Sequence, residues 1–211
     1  MRETERRRAA KIPSMPSHDV YFSADVEADG PIPGVNSMLS FGFSLAGVFD
    51  GDTFRRIDPA RHTFYRELRP ISDEFDVDAV AVSGLDRDEL LRSGADPTVA
   101  LSEAADWVRA LTTQIDPAGR PVFVAYPLGF DWMFLYWYLV RFSASGSPFG
   151  FSGCLDIKTL YAIRARTTIG ASTKSQMPTE LHSTRTHTHN ALDDAIEQAE
   201  LFQNLFTWEG A

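Results

Sequence analysis

The chain has 211 residues, 44% of them hydrophobic, a formal net charge of -9 and one cysteine, Cys154. This length fits one globular domain, since chains begin to divide into domains above about 250 residues. The acidic balance excludes a protein that coats nucleic acid through a basic surface, and a lone cysteine excludes an intramolecular disulfide. No apolar run approaches the ~20 residues that span a bilayer, so we expect no membrane segment and a cytoplasmic location.

The first part of the chain changes character near residue 18. Residues 1–17 are charged and poor in apolar side chains, which predicts a mobile tail ahead of a single domain over residues 18–211. The tail is basic at residues 6–8, so it either contacts phosphates or has no specific role. Three segments rich in aromatic and β-branched residues then predict an antiparallel meander, with a short return near residues 53–57. The segments are VYFSADVEA, SMLSFGFSLAGVF and HTFYRELR.

Beyond Pro70 the hydrophobic spacing becomes helical. A short helix is predicted near residues 77–81, and a longer one begins at Asp96 and Pro97, which suit an N-cap and a first turn. A buried strand, PVFVAY, then leads into an aromatic helix, FDWMFLYWYLVRF. A short strand at residues 153–156, a helix at 158–165, a polar loop at 166–188 and a final helix at 191–206 follow. Strands first, then strands alternating with helices, predict an α/β fold with a mixed sheet.

The first candidate site is the acidic pair in the segment DVEADG. Side chains alternate between the two faces of a strand, so Asp25 and Glu27 project to the same side. Two carboxylates on one face can hold a hard divalent cation together. Acidic pairs at strand ends are also common without any metal, so this pair alone does not establish a site.

The second candidate is Asp131, a single acid in the first turn of the apolar, aromatic helix. One interpretation is that its charge complements the positive end of the helix. The other is that a cation lies nearby, because Phe130 and Trp132 place this carboxylate where burial is otherwise costly.

The third candidate lies at the start of the final helix, in the segment HTHNALDD. Asn190 is a plausible N-cap, so His189 stands just before the first turn and Asp194 lies one turn inside it. An imidazole with a pKa near ~6.5 suits a general base beside a metal-polarised water. His187 lacks this placement, and we expect it to face solvent.

Together these three clusters resemble the DnaQ-like, DEDDh family of exonucleases, whose motifs occur in the same order. The family's DxE motif matches Asp25 and Glu27, and its second motif ends in Phe-Asp at the start of a helix, matching Asp131. The third motif, H-x-x-x-x-D, selects His189 with Asp194, because the same spacing from His187 ends on a leucine. The resemblance extends over most of the chain, from about residue 19 to 208. It implies an RNase H-like three-layer fold with a mixed five-stranded β-sheet flanked by helices.

The resemblance also implies a reaction and its cofactors. It predicts a metal-dependent 3′-5′ exonuclease that hydrolyses single-stranded DNA or RNA and releases 5′-mononucleotides. The implied metals are two Mg²⁺ or Mn²⁺ ions held by Asp25, Glu27, Asp131 and Asp194, with His189 as the base. The cations would neutralise the scissile phosphate, which explains how an acidic protein binds nucleic acid.

Two departures from the family pattern concern the substrate. Many relatives carry His-Asn ahead of the second motif, whereas this chain has Tyr126 and Pro127. Asp29 stands where a hydroxyl is usual, and it either tunes the site or is merely exposed. Candidate substrate contacts, each with a plain structural or solvated alternative, are Met38 and Phe130 for bases, and Lys158, Lys174 and Arg185 for phosphates.

Other functions remain open at this point. The chain is alternatively a nucleic-acid-binding module that kept the fold without catalysis, or a nuclease restricted to very short oligonucleotides. An interaction protein built on aromatic surfaces is a further alternative, which predicts no metal binding. The aromatic helix carries more large apolar surface than one helix face needs, so part of it either lines a homodimer interface or packs in the monomer core.

Overall fold

The computed structural model describes residues 18–210, so the tail predicted at residues 1–17 lies outside the described part of the chain. The strands are β1 (His18–Ala28), β2 (Met38–Phe49), β3 (Phe54–Arg56), β4 (Thr63–Glu67), β5 (Gly119–Ala125) and β6 (Cys154–Asp156). The helices are α1 (Val77–Ser83), α2 (Arg87–Ser93), α3 (Pro97–Ile115), α4 (Leu128–Phe142), α5 (Ile157–Arg164) and α6 (Ala191–Thr207). Three short 3₁₀ turns lie between α5 and α6. The mixed sheet flanked by helices is confirmed.

The sheet has the order β3-β2-β1-β5-β6, with β4 also paired to β2. Strands β1 and β2 are antiparallel, whereas β5 runs parallel to both β1 and β6. The predicted meander is confirmed, and its short return near residues 53–57 is β3, so the sheet described for residues 18–210 has six strands where the family resemblance implied five. The reason is that β3 and β4 divide one edge of β2 between them, at residues 47–49 and 40–44 respectively.

Helices cover both faces of the sheet and give three layers. On one face, α3 and α4 pack against alternate residues of β1, including Val20, Phe22 and Ala24. On the other face, α5 and α6 pack against Tyr21, and Val122 of β5 joins the same cluster. This alternation follows from the two-residue period of a strand. It also means that Asp25 and Glu27, in phase with Tyr21, project towards α6.

Helix starts follow the capping residues that the sequence indicated. Asp96 accepts the backbone N–H groups of Thr98 and Val99 at the start of α3. Asn190 accepts those of Leu192 and Asp193 at the start of α6, so both predicted caps are confirmed. Helix α2 was not predicted as a separate element, because its segment RDELLRS has no clear apolar stripe. None of the six helices described for residues 18–210 is both long and apolar enough to cross a membrane.

Candidate active site

The acidic pair of β1 lies where this strand passes under the start of α6. Asp25 is paired with Gly42 of β2, and Glu27 is paired with Ser40. Gly42 permits a close approach of α6, because a Cβ atom there would lie 2.5 Å from the carbonyl oxygen of Ala191. The absence of a side chain at this position therefore lets the start of α6 lie directly beside the two strand carboxylates.

Three of the predicted acids converge at this point. One carboxylate oxygen from each of Asp25, Glu27 and Asp194 lies within 4.8 Å of the other two. Asp25 and Glu27 come from neighbouring positions on one strand, whereas Asp194 is contributed by a helix almost 170 residues later. Oxygen donors at this separation form a donor set that fits a hard divalent cation such as Mg²⁺ or Mn²⁺.

Asp131 approaches the same cluster from α4, on the other side of β1. Its side chain is 4% exposed, and its Oδ1 accepts the backbone N–H of Val26 at 3.1 Å. Val26 lies between Asp25 and Glu27, so this hydrogen bond ties the start of α4 to the strand that carries the acidic pair. The structure thus brings Asp131 to the site, although it is not one of the three carboxylates that lie within 4.8 Å of each other.

Asp194 is fully buried and holds the turn that precedes its own helix. Its Oδ1 accepts the N–H of Thr188 and its Oδ2 accepts the N–H of His189, both at 2.9 Å. His189 has a φ of 57°, in the left-handed region that residues other than glycine seldom adopt. The carboxylate that faces the other acids therefore also fixes the backbone of the predicted general base.

His187 is exposed to solvent, as the sequence predicted, but the structure also places it beside the acidic site. Its side chain is 47% exposed, yet its Nδ1 lies 3.0 Å from Oδ1 of Asp194, and its ring centroid is 4.6 Å from that of His189. Both histidines are therefore at the site. In an extended chain, the side chains of His187 and His189 would lie on the same side but apart from each other. The left-handed conformation of His189 bends the backbone at this point, and the two rings are in contact.

Burial and mutual repulsion shift the protonation of the acids in the metal-free protein. Burial, followed by the charge of Asp131, raises the pKa of Asp25. Burial raises the pKa of Glu27 to about 7, with a further contribution from Asp194, and it raises the pKa of Asp131 to about 8. At neutral pH, burial and mutual repulsion therefore oppose the ionisation of all these carboxylates together. A bound divalent cation would stabilise their ionised forms.

Gln198 is a site residue that the sequence analysis missed. Its side chain is 1% exposed and joins two elements: Nε2 donates to Oδ1 of Asp25 at 2.6 Å, and Oε1 accepts the N–H of Tyr126 at 2.7 Å. Gln198 lies four residues after Asp194, on the same face of α6. That spacing was the available signal, but a buried glutamine in an apolar stripe does not by itself indicate a contact with an acid on β1.

The polar loop before α6 is anchored beside the site by several side-chain contacts. Lys174 forms an ion pair with Glu197 of α6, and its Nζ lies 5.4 Å from the ring centroid of Tyr126. The hydroxyl of Tyr126 donates to the carbonyl oxygen of Ser172. Arg185, the other loop cation considered for phosphates, pairs with Glu200. Tyr126, at the place of the family's usual histidine, therefore binds the loop and Gln198.

The candidate substrate contacts separate into buried and accessible residues. Met38 is fully buried, and its backbone N–H donates to the hydroxyl of Tyr138, so the expectation that Met38 contacts a base is wrong. The strand that carries it is covered on both faces. Phe130 is 38% exposed beside the site, with its ring 4.9 Å from that of Phe134. Lys158 is half-buried in the first turn of α5 and forms no ion pair with any residue between 18 and 210.

Asp29, the other departure from the family pattern, is neither exposed nor part of the acidic cluster. It is fully buried and accepts the Nε–H of Arg87 at 2.9 Å and the N–H of Ser37 at 2.5 Å. Arg87 is itself 9% exposed and lies over the ring of Phe75. Asp29 therefore joins the segment after β1 to α2 through a buried ion pair.

Comparison with known proteins agrees with this geometry. The chain is 32% identical over 185 residues to the 3′-5′ DNA exonuclease Cap18 of Escherichia coli. The alignment covers 88% of this chain and 90% of that protein. The chain belongs to the DnaQ-like, DEDDh family of 3′-5′ exonucleases. No family model matches the sequence. As a member of this family the protein is a nuclease. The related exonucleases depend on divalent metals, and the acids that meet in this structure are residues that can bind such ions.

Solved structures of exonucleases share the fold at low sequence identity. Cell-death related nuclease 4 (CRN-4) aligns with a TM-score of 0.58 and 13% identity over 90% of this chain. Exonuclease I of E. coli in complex with a dT13 oligonucleotide aligns with a TM-score of 0.56 and 16% identity over 88% of it. The alignments cover 64% and 40% of those chains, respectively. They establish the RNase H-like exonuclease fold for this chain.

Proposed function

We propose that this exonuclease degrades single-stranded DNA from its 3′ end and releases 5′-mononucleotides. The observation that carries the proposal is the approach of Asp25, Glu27 and Asp194 to within 4.8 Å of one another, with Asp131 bonded to the strand between the first two. DNA is proposed as the substrate because the Cap18 relative is named a DNA exonuclease. A pure binding module has no need for four converging carboxylates.

The four acids are proposed to hold two Mg²⁺ or Mn²⁺ ions. The charges of the other three acids all act on Asp25, so it would contribute to holding both ions. Glu27 and Asp194 would complete the first set of ligands, and Asp131 would hold the second ion. When bound, such ions polarise the attacking water and neutralise charge on the scissile phosphate. Gln198 fixes the carboxylate plane of Asp25 by donating to its Oδ1, so we assign it a positioning role.

His189 is proposed as the general base. Its imidazole is exposed and its backbone is fixed by Asp194, so it can accept a proton from water at the edge of the acidic cluster. The water oxygen attacks phosphorus, and the bond from phosphorus to the 3′ oxygen of the preceding nucleotide breaks. The leaving oxygen takes a proton from solvent and becomes the new 3′ hydroxyl, and the phosphate stays on the released 5′-mononucleotide.

Phe130 and Lys158 are the proposed substrate contacts. Phe130 is exposed next to Asp131 and offers a ring face for stacking on a terminal base, an interaction that every base can make. Lys158 follows β6 at the same edge of the sheet as the end of β5, where a cation would meet a phosphate.

The test is a degradation assay of 5′-labelled strands, with DNA and RNA, single- and double-stranded, compared in Mg²⁺ and in Mn²⁺. We expect stepwise shortening of single-stranded DNA that requires the added cation and is absent in Asp25→Asn. Binding of the strand without shortening would identify the non-catalytic module instead. Turnover of dinucleotides with none on longer strands would identify a nuclease for very short oligonucleotides.

The outer face of α4 is proposed as a homodimer interface. Phe134, Leu135 and Tyr138 of this helix are buried in the monomer core, whereas Met133 and Val140 are 40% and 56% exposed. The exposed residues border an apolar cleft that Trp132 and Trp137 also line. Sedimentation at micromolar concentration should show a species of twice the monomer mass, and Val140→Asp should convert it to the monomer.

A cytoplasmic location likewise stays a prediction from the sequence.

A further inference from the structure

A second group of metal-ligating atoms overlaps the acidic site. A nitrogen from each of His187 and His189 and a carboxylate oxygen of Asp194 all lie within 4.8 Å of one another. The separation between His187 Nδ1 and Asp194 Oδ1 is already 3.0 Å. Both imidazoles are exposed while the carboxylate is buried, so the group opens to solvent on one side only.

We propose that His187, His189 and Asp194 form a transition-metal site, with Zn²⁺ as the expected ion, distinct in chemistry from the all-oxygen cation site. Two imidazole nitrogens and one carboxylate are a donor set that Zn²⁺, Cu²⁺ or Ni²⁺ prefers over Mg²⁺ or Mn²⁺. Ligand atoms around tetrahedral zinc lie ~2.0–2.2 Å from the ion, which three groups at these separations reach with small side-chain rotations. Solvent supplies the fourth ligand on the exposed side.

The local backbone favours this arrangement before any ion binds. Asp194 accepts the N–H groups of Thr188 and His189, one at each oxygen, and each carboxylate oxygen still has a lone pair to offer. The left-handed conformation of His189 turns its ring towards that of His187. Folding therefore already brings the three ligands together, which lowers the entropic cost of binding an ion.

The consequence for catalysis rests on the proposed function. Asp194 belongs to both donor sets, and His189 is the proposed base. A zinc ion held by His187, His189 and Asp194 would occupy a nitrogen of the proposed base and a carboxylate of the acidic site. We therefore infer that zinc inhibits the nuclease even when Mg²⁺ is present in excess.

Zinc binding is tested first, without reference to activity. Calorimetric titration of the full chain with Zn²⁺, in saturating Mg²⁺, should show one tight site. His187→Asn should weaken this binding by at least ~10-fold, because the loss of a direct ligand costs no less than the loss of a group that orients a ligand. His182→Asn is the matched control, because His182 is exposed on the same loop and contacts the carbonyl oxygen of Lys174. Unchanged zinc affinity in His187→Asn, or equal losses in both variants, would overturn the proposal.

Inhibition is then measured as the zinc concentration that halves each variant's own Mg²⁺-dependent rate, so that differences in basal activity cancel. We expect this concentration to rise at least ~10-fold in His187→Asn and to stay unchanged in His182→Asn. Equal inhibition of the wild type and His187→Asn would place the inhibiting zinc on the acidic set and contradict the proposal. Absence of Mg²⁺-dependent shortening in the wild type would contradict the proposed function, while the binding titration would still decide the zinc site.

Discussion

The acids and the imidazoles of the site are held in different ways. Asp131 and Asp194 are buried and bonded to backbone N–H groups, and Asp25 is held by Gln198. His187 and His189 lie exposed on the turn before α6. The carboxylates are therefore held in place on strands and helices, whereas the proposed proton acceptor, His189, lies on a turn and has a left-handed backbone conformation. We infer that damage to the acids removes the reaction, whereas changes on the turn alter its rate or its response to metals.

The largest expected effect is that of Asp25→Asn. We expect activity to fall roughly 1,000-fold or more, because transition-state stabilisation by a bound metal is worth several kcal/mol and each ~1.4 kcal/mol is a factor of ten. The melting temperature of the metal-free variant should be equal or higher, because a neutral amide replaces a buried carboxyl group whose ionisation the neighbouring acids oppose. Turnover above about a tenth of the wild-type rate would contradict the assignment.

The turn gives the next largest effect. His189→Ala should cut the rate ~100-fold or more, the scale of a lost general base, with Mn²⁺ affinity retained. His187→Ala should reduce the rate far less, although both histidines lie beside Asp194. Single-turnover rates and Mn²⁺ titrations of the two variants measure this contrast. A larger loss in His187→Ala would show that the motif spacing selects the wrong histidine.

A smaller effect is expected for Gln198→Ala, because Gln198 acts only through Asp25. We expect kcat to fall by roughly 10-fold with little change in KM, in line with other groups that orient metal ligands. Gln203→Ala is the matched control, since Gln203 is buried on the same helix and donates to the carbonyl oxygens of Ala46 and Ile57. That variant should lower the melting temperature without a specific loss of kcat. Equal kcat losses in both would assign Gln198 a purely structural role.

The smallest effect is a pH dependence of stability in the metal-free protein. The pKa values of Glu27, about 7, and of Asp131, about 8, lie above their ordinary values, so both groups take up protons on folding. Their contribution to stability is complete at low pH and is lost as the pH rises through these values. Divalent cations replace the lost protons, so Mn²⁺ should raise the melting temperature more near about pH 8.5 than near about pH 5.5. An equal rise at both pH values would contradict this account.

Much of the fold was predictable because the spacing of hydrophobic residues along the sequence indicates which side of each strand or helix is buried. The two-residue and 3.6-residue periods located all the strands and five of the six described helices, and Asp96 and Asn190 were recognised as caps. Helix α2 was missed because its few apolar residues form no stripe. The family resemblance implied one strand fewer, because whether the short strand β3 pairs beside β4 along one edge of β2 depends on tertiary packing.

The sequence by itself determined which residue types carry the chemistry and in what order, because Asp25, Glu27, Asp131, His189 and Asp194 stand at recognisable strand and helix ends. Only the tertiary structure decided which side chains meet. The bond from Gln198 to Asp25 joins residues 173 positions apart, His187 reaches Asp194 through a left-handed turn, and Met38 is buried in the interior. Such contacts depend on packing between distant elements, and periodicity carries no information about the distances across them.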